Sequence, residues 1–258
     1  MLQRSHSYDK LYSDFRWRIP ERLNIGVALS DRWAAEDPGR IALYDFGASI
    51  DPANISTRPR SLSFGDLARQ SDALANSLRV MGIAAGDRVA LLLPQSFETV
   101  IAHLAVYKLG AIAVPLALLF GPEALEFRLR FSGAKAVFTN IAGARIVTQL
   151  HPKLPDLQHV VVSGGDAPNS SGHPYLRFKD EIAKESDGFD TAGTHSDEPA
   201  FWLYSSGSTG MPKGVRHLHA NLAATAETYA SQVLGIRESD VGLSAAKLFF
   251  AYGLGNAL

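Results

Sequence analysis

Tyr204-Ser205-Ser206-Gly207-Ser208-Thr209-Gly210-Met211-Pro212-Lys213-Gly214 is the stretch from which the rest of this chain is read. It follows directly on Ala200-Phe201-Trp202-Leu203, and the whole apolar run 200–204 reads as a buried strand of bulky residues. From Ser205 to Gly210 every side chain is absent or a small hydroxyl. Such a bend lets backbone N–H groups point into one concavity while the hydroxyls add donors. A polyphosphate matches that lining, and Lys213 supplies the cation to neutralise it.

Two other readings compete. A solvated Gly/Ser linker is the plainer one, but linkers are rarely preceded by a buried aromatic strand or closed by Pro-Lys-Gly. Pro212 fixes φ and stiffens the point where Lys213 leaves the bend. A Walker-type P-loop needs Gly before its Lys and Ser or Thr after it. Here those places hold Pro212 and Gly214, so the magnesium hydroxyl and one cradle N–H are missing. The bend is a phosphate loop of another kind.

Outward from this point the chain alternates. Towards the N-terminus, 24–36 shows helical spacing with Val27, Leu29, Trp33 and Ala34 as candidate buried positions. Strand-like 41–46 and a polar loop over 47–60 follow. Residues 61–64 then feed a helix that Ser63 and Asp66 open with a capping-box pattern and Gly82 closes. Leu67, Leu74, Leu78 and Met81 line its inner face. The run 87–94 is nearly continuous in apolar residues, as expected of a strand covered on both faces. Helix 97–109, strand 111–116, a helix over 122–131 opened by Pro122, strand 134–139, helix 142–150 and strand 159–163 continue the pattern. Strand and helix taking turns predict an α/β layer with a largely parallel sheet. The polar stretches 164–172 and 186–198 read as loops. The second is the expected junction between a first α/β subdomain, 1–195, and a second unit beginning at 196. Downstream, 220–234 reads as a helix and 241–246 as a strand.

The 258 residues carry a net charge of −1 and 46% hydrophobic residues, with no cysteine. Near-neutral charge gives no electrostatic case for nucleic acid, and the absence of cysteine excludes disulfides and thiolate chemistry. The polar start, 1–20, is unlike a secretory signal, which fits a reducing, cytoplasmic setting. The apolar stretch 102–121 has the length of a membrane span, but Lys108 and Pro115 interrupt it, so no stable membrane insertion is expected. His217 and His219 alternate, a spacing a metal could use on a strand. No third ligand stands near, so a structural or substrate-side role for His217 is expected and no metal site is assigned.

Phe249, Phe250, Ala251, Tyr252 and Gly253 combine flat apolar surfaces with a place where backbone can approach a ligand. This suits one wall of a pocket for a small apolar or aromatic acid, with ordinary core packing as the competing reading.

The stretch 204–214 resembles the phosphate-binding signature of the adenylate-forming enzymes, the acyl- and aryl-CoA synthetase superfamily, at every fixed position. Ser61-Leu62-Ser63-Phe64-Gly65-Asp66-Leu67, Gly86-Asp87-Arg88-Val89-Ala90-Leu91-Leu92-Leu93-Pro94 and Tyr107-Lys108-Leu109-Gly110-Ala111-Ile112-Ala113-Val114-Pro115-Leu116 are similar to its early core segments. Segments 201–210 and 244–258 look like benzoate-type CoA ligases. Phe15-Arg16-Trp17-Arg18-Ile19-Pro20 and 118–125 are closer in wording to medium-chain acyl-CoA synthetases.

The resemblance implies an AMP-forming carboxylate–CoA ligase using ATP, Mg²⁺ and CoA as co-substrate, acting on an aromatic acid such as a benzoate, or alternatively on a medium-chain acid. It implies β/γ-phosphate donors at Ser205, Ser206, Ser208 and Thr209, loop conformation set by Gly207 and Gly210, and phosphate charge met by Lys213 beside Gly214. Lys213 and Thr209 are thereby the expected catalytic residues, and 249–253 the acyl contacts. Many relatives carry His where Phe250 stands, so the gating residue here is expected to be the phenyl ring. The chain ends inside an apolar run with no helix terminator. The superfamily's Mg²⁺-coordinating acid, ribose-binding Asp, hinge and adenylation lysine are therefore expected beyond residue 258. A non-catalytic remnant or a standalone nucleotide-binding module are the alternatives from other classes.

Overall fold

A computed structural model describes residues 6–46, 59–165, 175–184, 188–206 and 210–257. The first elements are α1 (Tyr8–Asp14), α2 (Ile25–Leu29), α3 (Asp31–Glu36), β1 (Ile41–Asp45), β2 (Arg60–Ser63) and α4 (Phe64–Val80). The central alternation is β3 (Arg88–Leu92), α5 (Phe97–Lys108), β4 (Ile112–Pro115), α6 (Pro122–Ser132), β5 (Ala136–Asn140), α7 (Ile141–Leu150) and β6 (His159–Ser163). After it come β7 (Leu176–Arg177), α8 (Phe178–Lys184), β8 (Pro199–Ser206), β9 (Pro212–Leu218), α9 (His219–Thr225) and α10 (Ala251–Ala257).

The main sheet has the order β7-β6-β5-β3-β4-β8-β9, parallel from β7 to β8 and closed by the antiparallel β8–β9 hairpin. β8 and β9, which follow residue 195, continue this one sheet. The apolar run at 87–94 is its centre. Val89 and Leu91 enter the cluster that holds α4 and α5, whereas Ala90 and Leu92 enter the one under α6 and α7. Phe138 and Val161 take the first face, Val137, Val160 and Val162 the second. Helices therefore cover both faces, which is why no polar alternation is visible in these strands. Each fully buried Val, Leu or Phe here contributes about 1.5–3 kcal/mol.

Local signals set several helix ends. The Ser63 hydroxyl accepts the Asp66 N–H at 3.1 Å and donates to Asp66 Oδ2 at 2.9 Å. Aspartate is a methylene shorter than the usual glutamate and meets the cap's hydroxyl. Pro122 occupies the first turn of α6, and Gly133 ends that helix in the left-handed region at φ 59°.

Residues 220–234 are helical as expected, α9 passing into a π-helix at Ala226–Leu234. Three expectations need correcting. The helix over 24–36 is broken at Ser30 (φ −131°, ψ −65°), and its innermost residues are Ile25, Gly26 and Ser30. Residues 241–246 form no strand: Val241 and Leu243 stand open to solvent, and among the described residues no neighbouring strand offers the backbone partners a strand requires. His219 opens α9 while His217 belongs to β9, so the two imidazoles do not share a strand face.

The apolar stretch at 102–121 divides between α5 and β4, and among the described residues no helix is long and apolar enough to cross a membrane. Lys108 lies fully buried at the end of α5. Its ammonium meets Asp72 Oδ1 at 2.6 Å, Asp31 Oδ2 at 2.8 Å and the Ala68 carbonyl at 3.2 Å. The described part of the expected junction, 188–198, is stitched down rather than loose. Ala192 N–H donates to the Lys108 carbonyl, Leu23 N–H to Thr194 O and Ser196 N–H to Glu21 O.

Candidate functional site

The chain runs from β3 to β4 on one side, then crosses back through α6 to β5 on the other side of β3. This reversal makes the carboxyl end of β3 a topological switch point, the place where α/β sheets leave a crevice. β8 is parallel to β4 and β4 to β3, so the bend after β8 emerges at the same edge of the sheet.

That bend is the turn of the β8–β9 hairpin, whose register pairs Tyr204 with Gly214, Ser205 with Lys213 and Ser206 with Pro212. Gly207, Ser208 and Thr209 lie outside the described residues, as does the Ser206 side chain. Gly210 has φ 87°, a conformation that strains any residue with a Cβ. Ser205 and Lys213 are both exposed, on the same face of the hairpin. Among the described residues no carboxylate pairs with Lys213, in contrast to Lys108.

The other face of the hairpin is anchored. The Tyr204 hydroxyl donates to the Arg128 carbonyl at 3.0 Å, and Phe131 meets the Tyr204 ring edge-on at 6.2 Å. Arg128 lies with its guanidinium 4.0 Å from the Phe120 ring centroid and 5.4 Å from that of Tyr204. Burial pushes the Tyr204 phenol up to about 12, with Ser132 and Arg128 opposing the shift.

Behind the bend sits an aromatic cluster. His217 stacks on Phe201 with centroids 4.7 Å apart and planes 6° from parallel. Its pKa is lowered by partial burial. His219 is fully buried against Tyr107, and its Nδ1 accepts the Ile25 N–H at 3.2 Å, which leaves the proton on Nε2. Burial holds it down at about 4, against a pull upward from Glu198. His103 is likewise buried, meets the Tyr107 hydroxyl at 2.9 Å, and is held at about 3. These histidines stay neutral and pack the hairpin onto α5. Among the described residues no group of three or more His, Asp or Glu side chains could hold a metal ion. The described residues thus supply no Mg²⁺ ligand set of their own.

The expected acid wall reaches the same edge. Leu248 N–H donates to Gln95 Oε1 at 3.0 Å, just past the carboxyl end of β3. Leu248 and Leu254 are buried in the cluster that also holds Phe201 and Leu203. Phe249 is half-buried, its ring 4.6 Å from that of Phe250. Phe250 and Tyr252 are 53% and 74% exposed, and Ala251 is exposed too. Gly253 is buried under the Lys247 carbonyl, where a Cβ would come within 2.1 Å. Two residues that organise the site, Gln95 and Arg128, escape sequence reasoning. Each acts through a partner more than seventy residues away, and no local pattern marks such a contact.

A parallel sheet with a switch point, a hairpin turn at its carboxyl edge and a lysine that no carboxylate pairs with among the described residues define an α/β protein with a crevice at that edge. Residues 30–258 match the AMP-binding enzyme family, and the chain belongs to that family. It is 36% identical over 242 residues to the benzoate–CoA ligase of Thauera aromatica, covering 93% of this chain and 42% of that protein. It is also 36% identical to the 4-hydroxybenzoate–CoA/benzoate–CoA ligase of Rhodopseudomonas palustris, covering 91% of this chain and 40% of that one. Among solved structures it is similar to the anthranilate CoA ligase AuaEII in complex with anthranoyl-AMP. That match has a TM-score of 0.80 and 31% identity, over 92% of this chain and 42% of that one. The chain thus spans less than half the length of these relatives.

Proposed function

We propose that this chain carries the acid-activating nucleotide site of an AMP-forming carboxylate–CoA ligase, with an aromatic acid of the benzoate class as substrate. The observation that carries the reading is the convergence of the β8–β9 bend and the 248–253 segment on one edge of the sheet. Similarity to benzoate– and anthranilate–CoA ligases supports the aromatic acid over a medium-chain one.

In this reading a carboxylate oxygen attacks the ATP α-phosphorus, the bond to the β-phosphate oxygen breaks, and pyrophosphate leaves. The CoA sulfur then attacks the acyl carbon of the adenylate, and AMP departs. The protein's task is to hold two anions that repel and to offset charge as it develops on phosphate. Ser205, Ser206, Ser208 and Thr209 supply donors to the β- and γ-phosphates, Gly207, Gly210 and Gly214 allow close backbone approach, and Lys213 supplies the cation. Phe249, Phe250, Ala251, Tyr252 and Gly253 contact the acyl group, with the Phe250 ring as gate. In this reading the partners are the acid, ATP and CoA, and the setting is cytoplasmic.

The test is calorimetric titration of the chain with ATP, followed by pyrophosphate exchange with benzoate or hexanoate in a protein that carries this chain and is otherwise complete for adenylation. ATP binding with benzoate-dependent exchange supports the reading. ATP binding without exchange favours a nucleotide-binding module, and absence of ATP binding overturns the assignment.

A further inference from the structure

We propose that Arg128 is a positioning residue for the phosphate-binding bend: its carbonyl and its guanidinium fix the Tyr204 ring and, through that ring, the mouth of the β8–β9 hairpin. The bend's ligand rests on the function proposed above; the clamp itself rests on the geometry alone.

Three contacts from one helix converge on Tyr204. The Arg128 carbonyl takes its hydroxyl, the Arg128 guanidinium lies over its ring, and Phe131 closes against its edge. An arginine on a helix surface ordinarily pairs with acids three or four residues away. Arg128 has Ala124 and Ser132 at the four-residue spacing, and Nη1 donates to the Ala124 carbonyl at 2.8 Å. Its Nε is enclosed without a hydrogen-bond partner. Nearby Glu126 is engaged by Lys153. The charge is held between the faces of Phe120 and Tyr204, an arrangement that fixes planes rather than neutralises charge.

The consequence falls on the next rung of the ladder. Tyr204 faces Gly214, and the adjoining pair is Ser205 with Lys213. One residue along a strand is about 3.3 Å, so movement of the Tyr204 ring passes directly to the first hydroxyl and the cation of the bend. The Phe131 and Tyr204 rings also lie against Gly214, 3.5 and 3.6 Å from where its Cβ would stand, so both strands of the hairpin share the clamp.

The test uses the whole chain with Arg128→Met, which keeps the stem's packing, Arg128→Lys, which keeps the charge, and Arg130→Ala as an exposed control on the same helix. Two readouts are taken: tryptic cleavage after Lys213 against cleavage after exposed Arg237, and ATP affinity by calorimetry. Arg128→Met is expected to speed cleavage after Lys213 about tenfold while cleavage after Arg237 is unchanged, and to weaken ATP binding by a similar factor. Arg128→Lys restores charge without a flat stacking surface and is expected to stay near the methionine variant. Arg130→Ala matches wild type. An unchanged rate after Lys213, or an equal rise after Arg237, overturns the clamp. Selective cleavage in a wild-type chain that binds no ATP upholds the clamp and removes only the nucleotide reading.

Discussion

The interior of the sheet and the β8–β9 hairpin both carry a lysine, and they treat it in opposite ways. Lys108 is fully enclosed and is met by Asp31, Asp72 and a backbone carbonyl. Lys213 stands exposed on a strand next to a bend of hydroxyls and glycines, and no described carboxylate pairs with it. Where acids are assigned to a cation, the cation is part of the scaffold. Where no described acid meets it, the cation stands open to solvent, and in the function proposed here it is left for phosphate. The same division runs through the strands: β3 and β5 are buried on both faces, whereas β9 is exposed at Lys213, Val215 and Arg216.

The sharpest way to break this contrast is to exchange the fates of the two lysines. Lys108→Ala leaves Asp31 and Asp72 without their buried partner and is expected to cost about 3–5 kcal/mol in urea unfolding. Lys213→Ala should leave that stability within about 0.5 kcal/mol. It is expected to slow adenylation about 10²–10³-fold, read by pyrophosphate exchange in a protein competent for it. Equal losses of stability in the two variants would erase the distinction. Gly253→Ala sharpens it by separating the two arms of the site. The new methyl meets the Lys247 carbonyl, so about 1–3 kcal/mol of local strain should fall on acid binding and spare ATP affinity.

A further effect concerns pH. His219 is held at about 4 in the fold against an ordinary value near 6.5, so the unfolded chain takes up its proton first. Its contribution is fully present above about pH 6.5 and is lost as pH falls towards 4, by about 1.4 kcal/mol per pH unit. His219→Gln should flatten the stability–pH profile over that window by one proton's slope, and an unaltered profile would show that His219 is not the group responsible.

Much of the scaffold was legible because its signals are local. The nearly continuous apolar run at 87–94 reads as a strand covered twice, and Ser63, Pro122 and Gly82 mark helix ends by chemistry that needs no distant partner. The strand leading into Tyr204 was legible for the same reason. What escaped was decided at long range. Residues 241–246 have strand-like composition but no neighbour to pair with, and Ser30 breaks a helix whose apolar spacing continues across it. Nothing near Arg128 announces Tyr204, seventy-six residues on. Nothing near Gln95 announces Leu248, one hundred and fifty-three residues on.

β9 is the last strand of the sheet, so its outer row of backbone groups faces away from β8 with no further strand beside it among the described residues. Such a rim is a template onto which another chain can add, and charged side chains along it are a common deterrent. Lys213 and Arg216, both exposed on β9, are charges of that kind. Stripping both charges should make the protein self-associate in sedimentation at concentrations where the parent stays dispersed, so colloidal behaviour and phosphate chemistry would share a residue.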